Sequence, residues 1–176
     1  MLIGIGCAVL FLIIVIIIFR VSTNKFVFVE AKVDESLKNI EMYLDRKYDF
    51  LCKIESLLTK KKIDCSFFEN FDRNVKKANY FELKEDLDAV YERLLLAVDE
   101  NEEVFSKKDI DKVLKDLRQN QIELNASIRY YNSSVTSYDH LVKSFPSNIV
   151  AFFKRYKYRD LFGSEIKKSY NILNED

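Results

Sequence analysis

The chain has 176 residues, with 28 basic and 28 acidic side chains and therefore no formal net charge at pH 7. This balance gives no overall basic field for nucleic acid, so no nucleic-acid partner is expected. Three cysteines without CxxC spacing and a single histidine supply neither a disulfide framework nor a recognisable set of metal ligands. We therefore expect no metal site and no cofactor in a protein of one domain with accessory segments.

The first segment is apolar and uncharged from Leu2 to Phe19. Eighteen helical residues span about 27 Å, close to the hydrocarbon thickness of a bilayer. A secretory signal peptide has a basic stretch before a shorter apolar run, and this chain has none. Residues 1–20 are thus predicted to be a retained transmembrane anchor. Because Arg20, Lys25 and Lys32 follow it, we expect a single-pass protein of the cell membrane with a short N-terminus outside and the remainder in the cytoplasm.

The next segment shows the periodicity of a bundle helix. No glycine occurs between Gly6 and Gly163, and Pro146 is the only proline, which favours long helices. Apolar positions recur in steps of four and three at Val33, Leu37, Ile40, Leu44, Lys47, Leu51, Ile54 and Leu58, where Lys47 is the polar exception. The anchor is predicted to continue into this helix. The pattern either stops in a turn at residues 60–62 or extends through Cys65, Phe68 and Val75.

A second helix is predicted to begin at Tyr80, after a turn near Asn79, and to fade between Asp99 and Glu103, with apolar residues at Leu83, Leu87, Val90, Leu94 and Ala97. Ser106 then provides a capping signal for a third helix. That helix carries heptads of coiled-coil type at Ile110, Leu117, Leu124, Tyr131, Tyr138 and Phe145, alternating with Leu114, Gln121, Ile128, Val135 and Val142. It is predicted to end at Pro146, and Ile149–Phe153 to add one or two turns.

These patterns predict an all-α protein, in which an N-terminal transmembrane helix precedes an antiparallel bundle of three to four long helices. The bundle is expected to occupy residues 21–153, and residues 154–176 to form a polar, partly ordered tail. With three helices of similar length, the end of the bundle at Pro146 would lie away from the membrane. An additional turn near Lys61 would bring that end back to the bilayer.

One motif at the end of the long helix is more specific than packing requires. The chain reads Tyr131-Asn132, five residues, Tyr138-Asp139, and then Ser144-Phe145-Pro146-Ser147-Asn148. This arrangement resembles the LemA family, whose members read Tyr-Asn, five residues, Tyr-Asn, and Ser-Phe-Pro-Ser-Asn. The resemblance implies a membrane-anchored helical bundle, with residues 144–148 as a structural motif. It does not imply a defined biochemical activity.

A weaker resemblance covers the first bundle helix. Lys47-Tyr48-Asp49 is similar to the Arg-Tyr-Asp of the family, but Cys52-Lys53 stands where the family has Pro-Asn. The family has arginine at the position of Lys47 and tends to have glutamate at that of Gln121. Either Lys47 bonds the Gln121 amide, or its flexible stem carries the amine to solvent, which is the interpretation favoured here.

The candidate polar site consists of Tyr131, Asn132, Tyr138 and Asp139, with Tyr48 added from the first helix. Two interpretations are open. The tyrosine rings pack inward and their hydroxyls form a polar site with the neighbouring side chains, or the rings are core residues whose hydroxyls reach the surface. Aromatic residues at helical spacing favour the core interpretation.

No enzyme pattern is present: the single histidine, His140, lacks a Glu-x-x-His partner, and no glycine-rich phosphate loop exists. The sequence therefore predicts a non-enzymatic interaction or scaffolding module, with a protein partner or self-association. The alternative is a small-molecule or lipid-binding sensor at the end that carries Tyr131 and Tyr138. Residues 152–159 mix basic and aromatic side chains, which suits contact with anionic lipid or a strap packed on the bundle.

Overall fold

A computed structural model describes residues 2–63, 65, 68 and 80–163. The regular elements are the helices α1, Leu2–Lys60; α2, Tyr80–Glu100; α3, Glu102–Phe105; α4, Lys108–Lys143; and α5, Ser147–Lys154. No strand occurs within these described ranges. The predicted all-α class, with an apolar N-terminal helix leading into a helical bundle, is confirmed. Among the described helices, α1, α2 and α4 are long.

Helix α1 runs without a break from the apolar segment into the bundle, as predicted. It contains no proline and no glycine after Gly6, so nothing in it interrupts the hydrogen-bond ladder. The helix ends at Lys60, and Lys62 follows with a φ of 56°. Of the two alternatives for this segment, the chain therefore adopts the turn at residues 60–62. Val75 and the turn near Asn79 lie outside the described residues, as do residues 164–176 of the predicted tail.

The chain divides into two compact units, and both include parts of α1 and α4. One unit comprises Met1–Ser36 and Arg129–Asp176, and the other comprises Leu37–Ile128. In the Leu37–Ile128 unit the predicted core positions are buried on three helices, at Ile40, Leu44, Leu51, Ile54, Leu58, Leu83, Leu87, Val90, Leu94, Ile110, Leu114, Leu117 and Leu124. The Asn120 amide donates to the Tyr43 carbonyl at 2.9 Å, and Lys61 pairs with Asp109 at 2.8 Å. These contacts make α1 and α4 antiparallel there.

Lys47 departs from the sequence prediction. Its side chain is fully buried and bonds the Asp88 carboxylate on α2, with the Tyr91 ring 4.9 Å from its amine. The Gln121 amide instead donates to Asn125, so the Lys47–Gln121 bond does not form and the solvent-exposed interpretation of Lys47 was wrong. The reason is that Asp88 on α2 supplies a carboxylate partner for Lys47. The heptad patterns of α1 and α4 carry no information about that residue.

Burial and the opposite charge of the partner shift the pKa values of Lys47 and Asp88. Burial lowers the pKa of Lys47, although Asp88 opposes that change. Burial works against ionisation of Asp88 too, but hydrogen bonds from Lys47 and Lys84 outweigh it and hold the Asp88 pKa below its usual value. Asp88 therefore carries a negative charge at neutral pH, beside the buried amine of Lys47.

The connection between α2 and α4 is more structured than predicted. A one-turn helix, α3, buries Phe105, and Ser106 follows it as the C-terminal capping residue. The Ser106 hydroxyl donates backward to the Glu103 carbonyl at 3.1 Å. Its predicted role as the N-terminal cap of the long helix was therefore wrong, since α3 engages the hydroxyl first.

The unit of residues 1–36 and 129–176 has a core built by α1, α4 and α5. Its buried members are Phe26, Val33, Val135, Tyr138, Val150 and Ala151, with Phe19, Val29, Tyr131, Leu141, Val142 and Tyr156 packed partly against them. The core pattern of α1 thus begins before Val33, since Phe26 and Phe19 lie seven and fourteen residues earlier. The end of the bundle at Pro146 accordingly lies beside the apolar segment of α1. Sequence reasoning had left that point open.

Candidate functional site

Of the motif residues on α4, Tyr138 is buried in this core and Tyr131 packs partly against it. Tyr138 is 2% exposed, and its ring meets Phe26 edge-on at 5.6 Å between centroids. Tyr156, from the segment after α5, stacks on Phe26 at 4.6 Å and completes an aromatic cluster of three rings. Such edge-to-face arrangements are favourable beyond the area that they bury. The Tyr138 ring therefore lies in the core, as both interpretations of the motif require.

Residues 155–162 return along the bundle because of the way in which α5 ends. Arg155 adopts a left-handed conformation, with a φ of 57°. The Tyr156 amide donates to the Ala151 carbonyl at 3.0 Å and the Arg155 amide to that of Phe152 at 3.3 Å. These two bonds define a Schellman motif, which reverses the chain direction at a helix C-terminus. The following residues, 156–162, are called the return segment.

The side chains of the candidate polar site hold this return segment. Asp139 accepts a hydrogen bond from the backbone amide of Arg159 at 3.1 Å, and Asn132 accepts one from the amide of Phe162 at 2.8 Å. The hydroxyl of Tyr131 donates to the carbonyl of Asp160 at 3.2 Å. The seven-residue repeat of the motif therefore places two polar acceptors, two helical turns apart, opposite two amides of the same extended segment.

Arg159 links the return segment to α1. Its guanidinium pairs with Glu30 at 2.6 Å and Asp34 at 3.2 Å, and lies 5.3 Å from the centre of the Tyr138 ring. The neighbouring carboxylates outweigh burial and raise the pKa of Arg159. Arginine suits this position because its planar group can bind carboxylates and stack on an aromatic face at once. Residues of α1, α4 and the return segment are thus joined around Tyr138.

The tyrosine hydroxyls of the motif are kept neutral. Burial raises the pKa of both Tyr131 and Tyr138, and Glu30 adds to the effect at Tyr138 while Arg159 opposes it. A neutral phenol can donate a hydrogen bond, which is what Tyr131 does toward Asp160. Both hydroxyls are therefore neutral phenols at pH 7.

The five predicted site residues divide between the two compact units. Tyr131, Asn132, Tyr138 and Asp139 lie in the same unit and contact the return segment. Tyr48 lies on α1 in the other unit, where it is half-buried. The prediction missed Phe26, Tyr156 and Arg159, although the seven-residue spacing of Phe19, Phe26 and Val33 signals the first of these.

The structural motif at residues 144–148 forms the turn between α4 and α5. The Asn148 amide donates to the Ser144 carbonyl at 2.9 Å, and Ser147 is buried. Phe145 is 78% exposed, so its predicted core position was wrong. Because α4 ends at Lys143, the heptad pattern no longer determines the direction of that side chain. The peptide bond between Phe145 and Pro146 is cis.

A metal site would need several histidine, cysteine or acidic side chains close together among the described residues. No group of three or more histidine, cysteine, aspartate or glutamate side chains in that part of the chain is arranged to hold an ion. A cleft of about 670 Å³ lies beside α5, lined by Val142, Ala151, Phe152, Phe153, Arg155 and Lys157. It combines an apolar wall with two basic side chains, and Asn148 of the 144–148 motif and Tyr156 of the return segment also line it.

Comparison with known proteins agrees with the motif. The sequence model of the LemA family matches residues 36–172, which is most of the chain. No curated protein matches it significantly. The match covers the parts of α1 and α4 that carry the family-like residues, together with α5 and the return segment. The chain belongs to the LemA family.

Proposed function

We propose that this protein is a single-span membrane protein whose helical bundle acts as an interaction or scaffolding module without catalysis. The observation that carries the proposal is the exposed apolar surface of α1. Large apolar side chains from Val9 to Ile18 are 40–65% exposed, although the same helix buries its apolar face from Phe26 onward. Soluble monomers rarely expose so much contiguous apolar surface. A bilayer is the solvent that suits such a helix.

The distribution of charge supports a cytoplasmic bundle. Arg20, Lys25 and Lys32 follow the apolar run on α1. Positively charged residues next to a span favour the cytoplasmic side. The unit that holds this part of α1 also carries Lys154 and Lys157, both exposed, which adds to the bias. The proposed location is therefore the cell membrane, with a short N-terminus outside.

The absence of catalysis is proposed because the polar residues of the motif on α4 hold the return segment in place. Asn132, Asp139 and Tyr131 each bond the return segment, and Tyr138 is a buried ring with a raised pKa. A small-molecule sensor at this face would have to displace the chain's own backbone. We therefore favour a bundle that presents its outer surface to a protein partner or to a second copy of the chain.

Membrane fractionation of two chains tests the proposal. The full-length protein should remain in membranes after alkaline carbonate extraction, whereas a chain lacking residues 1–20 should be soluble. The truncated chain should still show cooperative helical unfolding by circular dichroism, because the cores of both units lie beyond residue 20 apart from the partial contribution of Phe19. Extraction of the full-length chain by carbonate would contradict the anchor. Loss of cooperative unfolding on truncation would mean that residues 1–20 belong to the core of a soluble bundle.

A further inference from the structure

The outer face of α5 and of the turn before it is strongly apolar. Phe145, Phe152 and Phe153 are 70–80% exposed, and Ile149 is 46% exposed. The opposite face of α5 places Val150 and Ala151 in the core. The helix is thus apolar on both sides, and its outer side has no covering element in the described part of the chain.

Three basic side chains adjoin this face. Lys154, Arg155 and Lys157 are exposed and make no side-chain hydrogen bond or ion pair with any described residue. Arg159, four residues beyond Arg155, is bound by Glu30 and Asp34. The Schellman motif explains the difference, because it turns the chain so that Arg159 faces α1 while the earlier bases remain outside. These three charges are available to an anionic partner.

The position of α5 along α1 identifies that partner. Val150 and Ala151 share a core with Phe26, and Phe19, at the end of the apolar run, packs against the same core. Phe26 lies seven residues after Phe19, about 10 Å along the helix axis. The polar zone of a bilayer leaflet is about 5–8 Å thick beyond the hydrocarbon. An outward phenylalanine on α5 is therefore within reach of the lipid headgroups of the leaflet that α1 enters.

We propose that the exposed face of α5 lies on the anionic surface of the membrane that anchors α1. Phe145, Phe152 and Phe153 insert among the lipid headgroups on the side of the acyl chains, and Lys154, Arg155 and Lys157 bind lipid phosphates. Apolar rings beside lysine and arginine are the composition of helices that lie in the membrane interface. Basic residues next to a span are attracted by anionic lipids. The cleft beside α5 has an apolar wall and basic residues at its side, which suits one such headgroup. This inference rests on the proposed anchor.

Tryptophan reporters in the full-length chain test the proposal, since the natural sequence contains no tryptophan. Three variants are made: Phe152→Trp on α5, Phe11→Trp in the span, and Tyr130→Trp on α4. Tyr130 is exposed in the same unit but lies eight residues, about 12 Å, before Tyr138. Each protein is reconstituted into vesicles of phosphatidylcholine alone or mixed with phosphatidylglycerol. Both vesicle types contain lipids brominated in their acyl chains, which quench nearby tryptophan fluorescence.

The Phe11→Trp emission should be quenched in both vesicle types. The Phe152→Trp emission should be quenched in anionic vesicles and clearly less quenched in neutral vesicles. The Tyr130→Trp emission should be quenched little in either vesicle type. Changing Lys154, Arg155 and Lys157 to glutamine in the Phe152→Trp chain should lower quenching in anionic vesicles to the neutral level. If Phe11→Trp is quenched, two results would overturn the inference. One is that Phe152→Trp is quenched no more strongly than Tyr130→Trp, and the other is that Phe152→Trp is quenched equally in both vesicle types. An unquenched Phe11→Trp would overturn the anchor as well.

Discussion

The return segment should be released as one unit when either of its α4 acceptors is removed. Asp139 accepts from the amide of Arg159 and Asn132 from the amide of Phe162. Hydrogen exchange at these two amides therefore reports directly on release of the segment. We expect Asp139→Ala to expose not only the Arg159 amide but also that of Phe162, and Asn132→Ala to do the reverse. Cross-effects of this kind distinguish a cooperative clamp from two separate bonds.

The expected increase in opening of the return segment depends on whether the lost acceptor is charged or neutral. A hydrogen bond to a charged group contributes about 1.5–3 kcal/mol, and a neutral one about 1 kcal/mol. Because the Asp139 site is partly exposed, the lower figure applies, and 1.4 kcal/mol corresponds to a factor of about ten. Opening of the return segment should therefore become about tenfold more frequent in Asp139→Ala, and about fivefold in Asn132→Ala, where only the neutral bond of about 1 kcal/mol is lost.

Hydrogen exchange measured by mass spectrometry, with fragmentation to single amides, provides the assay for the full-length chain in a bilayer. Ser137→Ala is the matched control, because its hydroxyl donates only to the Ser133 carbonyl of the same helix. It should leave both amides unchanged. Exchange at Phe162 that is unaffected by Asp139→Ala would refute the clamp and leave two independent contacts.

Five further substitutions test the core. Leu124→Asp should destabilise the bundle by several kcal/mol because it buries an unpaired carboxylate, whereas Ile122→Asp, at a position 60% exposed, should change stability by about 0.5 kcal/mol or less in thermal melts. Asp88→Asn should cost about 3 kcal/mol by stranding Lys47, while Lys47→Met should be neutral or stabilising. Since the folded-state pKa of Asp88 is lowered, its stabilising effect is complete above the ordinary value of 3.8 and is lost as the pH falls through the lower folded value, so denaturant titrations of wild type and Asp88→Asn should converge in acid. Tyr138→Phe keeps the ring contacts and should shift Tm by less than about 3 °C with cellular function retained; lost function at an unchanged Tm would revive a ligand site.

The helices could be predicted because their information is local and periodic. Seven-residue spacing on α4 identified Leu117, Leu124 and Val135 as buried, and the same rule applied to α1 predicted Ile40 and Leu51. The rule fails where the helix ends, which is why Phe145 was misplaced. It also identifies the face on which a polar residue lies without identifying its partner, so Lys47 was assigned to solvent.

For the candidate site, the periodic pattern predicted the positions of the motif residues but not their partners. The spacing of Tyr131 and Tyr138 placed them on one face, but their partners lie in a segment without periodicity. Arg159 is 129 residues from Glu30 and 20 from Asp139, and no local pattern signals such contacts. Sequence motifs revealed which side chains were unusual for a core, and only the three-dimensional structure revealed that they bind the chain's own backbone.

The central claim is that α1 anchors a bundle on the cytoplasmic side of the membrane, and labelling of one cysteine tests it most directly. Leu96 is 64% exposed on α2, so Leu96→Cys provides an accessible thiol once Cys7, Cys52 and Cys65 are replaced by serine. A maleimide that cannot cross membranes is applied to intact cells and to permeabilised cells, with the cysteine-free chain as background. The account predicts labelling of membrane-bound protein only after permeabilisation. Labelling of Leu96→Cys in intact cells would contradict it.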